Sequence, residues 1–198
     1  KMLKLFSAKE KLRQEQNDQQ QSQEKPSQVL DGQMPTKVKP SIGELRLQKE
    51  LSDFSLPDNM EIDFVESKQN LMHFHIIIKP EEGIYREGRY VFNFQVPHAY
   101  PHNAPKVLCL TKIFHPNIDL NGAVCLNILR EDWSPVLSIS SIIFGLHLLF
   151  LEPNTTDPLH KEAATFLSQH PKEFEMKIQA GIHQGIEING NYFPPCAK

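Results

Sequence analysis

The stretch "FHPNIDLNGAVCLNIL", residues 114–129, brings together a histidine (His115), an asparagine (Asn117) and a cysteine (Cys125). Cys125 has three readings. It packs as a small buried hydrophobe, the common fate of a free cysteine; it ligates a metal; or it is a nucleophile, which requires an accessible setting that favours thiolate. The metal reading finds little support. Cys109, Cys125 and Cys196 are scattered with no C-x-x-C pair, and structural zinc sites want such spacing. His73 and His75 share one face of a strand but have no third ligand in sight, so a solvated face is expected there and no metal. A hydrolytic cysteine needs a base within reach. His115 is the nearest candidate, yet it precedes Pro116 in a turn and no third group is placed to orient it. Asn117 is either a turn residue bonding nearby backbone or a neutral donor for an oxyanion beside a thiolate or thioester.

The bulk properties narrow the setting. The net charge of -3 is unevenly spread: residues 1–40 hold 8 Lys+Arg against 5 Asp+Glu, leaving 13 against 19 for the rest. An acidic body carries no basic stripe for nucleic acid, so no nucleic-acid partner is expected. Three scattered cysteines give no disulfide framework and point to a reducing compartment. The greasiest run, "IIFGLHLLFL" at 142–151, is shorter than the roughly 20 residues a bilayer span takes, so no membrane partner is expected. "MLKLFSAKEKLRQEQ" turns charged too early for a signal peptide. The expected location is cytoplasmic and nuclear. Lys1 ahead of Met2 reads as an addition before the natural start.

The elements that must position these residues begin near Ser41. Before it, Met2, Leu3, Leu5 and Phe6 form a short amphipathic piece, followed by the tract "QEQNDQQQSQE" and a stretch broken by Pro26, Gly32, Pro35 and Pro40. Such polar sequence buries too little apolar surface to offset its ordering entropy, so residues 1–40 are expected to be a flexible docking arm and linker. "SIGE" at 41–44 reads as a capping box that opens a first helix, with Leu47, Leu51 and Phe54 on one face and Pro57 beyond its end. Four strands are expected from "MEIDFVE", "LMHFHIIIK", "RYVFNFQV" and "KVLCLT", the first three alternating apolar and polar. Their short connections suit an antiparallel meander. Residues 112–137 lack any period, and so long an irregular stretch in a compact domain is usually functional. A second helix from Ser138 to Leu151 is apolar nearly all round and is expected to be buried. Asp157–Pro158 should cap a third helix and Pro171 should open a fourth, with Phe174 and Ile178 on one face. This order gives an α+β domain.

The motifs together carry a resemblance. "YPHNAPKV" (100–107), "FHPNIDLNGAVCLNIL" (114–129), "DWSP" (132–135) and "EPNTTDPL" (152–159) resemble the ubiquitin-conjugating enzymes, the second enzymes of the ubiquitin-type cascade. The His-Pro-Asn run shortly before a Cys-Leu pair is the most specific of these. "MLKLF", "NIDLNGAVCLNILREDW" and "LLFLEPN" are similar to the branch that carries a Rub/Nedd-type modifier to cullins. Ala104 departs from the pattern, standing where most members have proline, as do Thr155 and Thr156, where a proline and an acidic residue are usual.

The resemblance implies the ubiquitin-conjugating fold over 41–182, a four-stranded meander flanked by an N-terminal helix and C-terminal helices, with 183–198 left as a C-terminal tail. It makes Cys125 the thioester nucleophile, Asn117 the oxyanion or loop residue, and Asp157 the residue that orients the incoming lysine. It implies partners: the modifier, a heterodimeric activating enzyme, a RING ligase, a cullin co-ligase and cullin substrates. Met2, Leu3, Leu5 and Phe6 would dock on the activating enzyme and co-ligase; His102, Pro135 and Val136 would face the ligase. No bound cofactor is expected, since ATP is spent upstream by the activating enzyme. The alternatives are an ordinary ubiquitin-conjugating enzyme and a catalytically silent binding variant, which the intact Cys125 opposes.

Overall fold

The computed structural model describes residues 40–65 and 70–197; the amphipathic segment with Met2, Leu3, Leu5 and Phe6 lies outside the described residues. Helix α1 (Ile42–Asp53) starts where the capping box places it. The Ser41 hydroxyl accepts from the Glu44 N–H at 3.1 Å, and the Glu44 carboxylate accepts from the Ser41 N–H at 2.6 Å. Four strands follow: β1 (Met60–Phe64), β2 (His73–Ile78), β3 (Tyr90–Gln95) and β4 (Lys106–Cys109). They form one antiparallel sheet in the order β1-β2-β3-β4, the expected meander.

Side chains alternate across a sheet, so the register turns the apolar positions into rows on one face. Phe64, Phe74, Phe94 and Val107 form one row; Ile62, Ile76, Phe92 and Cys109 form the next. Phe74 and Phe94 stack at 5.1 Å between ring centroids. Each large side chain buried in this way contributes on the order of 1.5–3 kcal/mol, which is why a one-residue slip of any strand is strongly disfavoured. His73 and His75 lie on β2, and His73 Nε2 pairs with the Asn93 carboxamide oxygen on β3 at 2.7 Å. Among the described residues no group of three His, Cys, Asp or Glu is arranged to hold a metal.

Helix α2 (Ile139–Leu151) packs on the core, with a capping box between Ser138 and Ser141. It is not buried all round as its composition suggests. Ile139, Ile142, Ile143, Leu146 and Phe150 enter the core, while Phe144 and Leu148, one turn apart, remain 47% and 56% exposed. The core claims only one side of the helix, and Phe54 of the segment after α1 reaches Phe144 edge-on at 5.8 Å. Among the described residues no helix is long and apolar enough to cross a membrane.

Helix α3 (Lys161–Gln169) begins later than Asp157–Pro158 predicts. The preceding segment is tied elsewhere: the His160 N–H donates to the Pro116 carbonyl at 2.9 Å. His160 then caps the helix itself, its Nδ1 accepting from the Ala163 N–H at 3.3 Å. Helix α4 (Pro171–Gln184) opens at Pro171 and buries Phe174 and Ile178 as expected, but it runs past residue 182. Beyond it β5 (Ile186–Ile188) and β6 (Asn191–Phe193) make a hairpin. Asn189 and Gly190 form its two-residue turn, both at positive φ (50° and 74°), the backbone that a tight hairpin of this kind requires. Phe193 reaches the core. The tail therefore has a defined place in the fold.

Candidate active site

The irregular stretch before Cys125 is a closely bonded loop. Isolated bridges pair His115 with Ile118, Ile118 with Val124, and Leu108 of β4 with Ala123. Asp119 turns the chain, its Oδ1 accepting the N–H of Asn121 at 2.9 Å and of Ala123 at 2.8 Å. Gly122 sits at φ 84°, and a Cβ there would fall 2.1 Å from the Cys109 carbonyl oxygen. Only glycine satisfies both demands. Buried Ile118 and Val124 anchor the loop from below, which leaves Cys125 half-buried at its mouth.

Among the described residues, His115 and Asn117 are the buried polar or charged side chains. The His115 Nε2–H donates to the Leu149 carbonyl at 2.9 Å, and Nδ1 accepts from the Asn117 N–H at 2.9 Å. One neutral tautomer satisfies both bonds. Burial drives its pKa down to about 3, the bond to Leu149 opposing only in part. With both nitrogens committed and the ring neutral, His115 is a structural pin and cannot act as a general base for Cys125. The hydrolase reading of this cysteine fails on that geometry.

Asn117 faces the segment after α2. Its Nδ2 donates to the Asn154 carbonyl at 2.8 Å and its Oδ1 accepts the Asn154 N–H at 2.8 Å. On the other side, the Asn117 carbonyl accepts the Cys125 N–H at 2.8 Å. The structure brings Cys125, Asn117 and Asp157 to one surface cleft, which Leu126, Asn127, Leu149 and Asn154 also line. Asn154 escaped the sequence reading. Its signal lay within "EPN", but only the three-dimensional pairing with Asn117 gives it meaning. An accessible thiol beside a neutral amide donor and an exposed carboxylate suits acyl transfer to an amine.

His102, Pro135 and Val136 lie on exposed loops, Val136 being 84% exposed. The two loops are linked by the Trp133 Nε1–H, which donates to the Pro101 carbonyl at 2.9 Å. Glu50 of α1 joins them to that helix. Its Oε2 accepts from the Tyr100 hydroxyl at 2.7 Å and from the Ile139 N–H at 2.9 Å, while Oε1 pairs with Arg46. The three positions thus stand over one connected framework of α1, the 97–105 loop and the start of α2.

Comparison with known proteins fits this geometry. The family model of the ubiquitin-conjugating enzyme matches residues 46–182. A probable NEDD8-conjugating enzyme Ubc12-like from Arabidopsis thaliana is 48% identical over 98% of this chain and 100% of its own length. The Nedd8-conjugating enzyme UbcE2M of Drosophila melanogaster is 45% identical over 98% of each chain. The solved structure of S. cerevisiae Ubc12 superposes with a TM-score of 0.74 at 37% identity, covering 99% of this chain and 100% of that one.

Proposed function

The chain belongs to the ubiquitin-conjugating enzyme family, and we propose that it accepts a NEDD8-type modifier from an activating enzyme as a Cys125 thioester and passes it to a lysine. Similarity to NEDD8-conjugating relatives along nearly the whole chain supports this choice of modifier over ubiquitin. The observation that carries the chemistry is the cleft holding Cys125, Asn117 and Asp157 together, beside a histidine that cannot deprotonate water.

The steps follow from those groups. The Cys125 thiolate attacks the carbonyl of the incoming thioester, and the upstream thiol leaves. A lysine amine then attacks the new thioester carbonyl, and negative charge develops on its oxygen. Asn117 assists directly through its amide or by holding the 114–125 loop in register. Asp157 orients the amine electrostatically and helps it shed its proton. It need not be a strong base, because a thioester is already activated. The Cys125 sulfur departs and the amide bond remains.

The same reading assigns the ligase-facing role to His102, Pro135 and Val136, and docking on the activating enzyme and a cullin co-ligase to Met2, Leu3, Leu5 and Phe6. Cullins are the proposed acceptors. The deciding experiment incubates the protein with NEDD8 or ubiquitin, each with its own activating enzyme and ATP, and reads a non-reducing gel. A thiol-labile adduct with NEDD8, absent in Cys125→Ala, is expected. Charging by ubiquitin alone would reject the modifier, and charging of Cys125→Ala would reject the site.

A further inference from the structure

The C-terminal hairpin touches the chain directly before the His115–Asn117 turn. The buried ring of Phe193 on β6 meets the Phe114 ring edge-on at 5.7 Å, and Lys112 Nζ lies 5.4 Å from the Phe193 centroid. Phe114 is packed further by Phe174 at 5.7 Å and by His160 at 5.0 Å, and its carbonyl accepts the Tyr85 hydroxyl at 2.9 Å. The turn is therefore held twice: Phe114 ahead of it by ring packing, and Pro116 within it by the His160 N–H. The hairpin is itself well fastened. The Cys196 carbonyl accepts the Arg89 N–H at 2.6 Å, the Cys196 N–H donates to Ile182 at 2.8 Å, and the Asn189 amide donates to Glu162 at 3.0 Å. All of it lies beyond residue 182, where the family match ends.

We propose that this hairpin is a positioning device for lysine attack, with Phe193 the positioning residue that, through Phe114, keeps Asn117 in register with Cys125. The proposal rests on the thioester chemistry proposed above. Truncating a buried ring leaves a void that its surroundings fill only partly, and here the void would lie against Phe114. The slack passes to the backbone that carries Asn117 and, through the Asn117 carbonyl, to the Cys125 N–H. Loading by thiol exchange needs chiefly the sulfur of Cys125. Aminolysis needs sulfur, donor and amine aligned together, and small misplacements lower such rates steeply.

The test pre-charges the full chain with NEDD8 and follows single-turnover discharge to free lysine for wild type, Phe193→Ala, Phe193→Leu and Met60→Ala. Met60 is a buried core residue on the edge strand β1, so its variant reports general destabilisation. Phe193→Ala should still charge, while its maximal discharge rate falls about tenfold with the half-saturating lysine concentration unchanged. Phe193→Leu should fall between, and Met60→Ala should match wild type. Amide exchange at Asn117 and Cys125 should quicken in the Phe193 variants only. Wild-type discharge by Phe193→Ala, or equal slowing by Met60→Ala, overturns the proposal. Should Phe193→Ala not fold, Phe193→Leu decides: slower discharge with quicker exchange supports the proposal, and no change in either overturns it. Failure of the wild type to charge would sink the thioester reading itself, and the hairpin's role with it.

Discussion

Asn117 and Asn154 grip each other through two hydrogen bonds of 2.8 Å, each residue donating once and accepting once. One amide N–H of Asn117 is thereby spent on holding two loops together. An amide nitrogen has two such hydrogens, and on the proposed chemistry the second would be the one that meets a developing oxyanion. The structural duty of Asn117 can be separated by experiment from the chemical one proposed for it.

Asn117→Ala and Asp157→Ala should both accept modifier yet discharge slowly to lysine in a single-turnover assay. Losing a positioned donor costs about a hundredfold or more in rate. Asn117→Ala should also lower unfolding stability by about 1–2 kcal/mol, since it breaks the pairing with Asn154. Discharge at the wild-type rate would remove both residues from the chemistry, whereas failure to load would assign them to folding.

The two cysteines on either side of the Gly122 turn should behave differently. Cys109 is buried on β4, and that burial pushes its thiol pKa up to about 12, with a backbone hydrogen bond at Thr111 opposing. Cys109→Ser should therefore leave a thiol-labile adduct intact. Cys125→Ser should convert it to a thiol-resistant oxyester or abolish it, as read by gel with and without reductant.

His115 gives a pH signature with a definite sign. Its folded pKa, lowered to about 3 by burial, lies below the unfolded value of 6.5. Above pH 6.5 both states are neutral and the group adds no pH dependence. Between 6.5 and 3 the unfolded chain binds the extra proton, so stability falls as pH falls, by up to about 1.4 kcal/mol per pH unit. Urea titrations of wild type and His115→Gln across that range should show the flatter profile in the variant. A parallel slope would mean that His115 is not the group responsible.

Val136→Asp should weaken ligase-stimulated transfer and leave charging intact. Val136 is almost wholly exposed, and surface changes of this sort usually move stability by less than about 0.5 kcal/mol. Unaltered stimulation would free the 135–136 loop from the ligase-facing role.

Deleting residues 1–12 should slow charging at limiting concentrations of the NEDD8 activating enzyme without shifting the melting curve. A tethered weak contact acts by raising effective concentration, so the defect should fade as the activating enzyme approaches saturation. Charging at the wild-type rate throughout would refute docking.

Features set by local chemistry were legible in the sequence. Ser41 and Glu44 announce α1 because a capping box is complete within four residues, and Phe74, Ile76 and Ile78 announce β2 because alternation is a property of the strand itself. The start of α3 was not legible: His160 caps it only because its backbone is held by Pro116, forty-four positions earlier in the chain. Asn154 was missed for the same reason, its partner being distant in sequence. The hairpin is intermediate. Asn189–Gly190 is a local turn signal, but strands of three residues each are too short to declare a period, and what holds them is Phe193 in a core built elsewhere.

The two spent nitrogens of His115 also govern time. A histidine that can neither accept nor pass on a proton gives no help to water straying into the cleft. On the chemistry proposed above, a thioester at Cys125 should lose less to hydrolysis than it would beside a histidine free to act as a base. On the same chemistry, the help that Asp157 gives an amine arrives only with the acceptor. Idle leakage and productive turnover thus answer in part to different atoms, the committed nitrogens of His115 bearing on the first and Asp157 on the second.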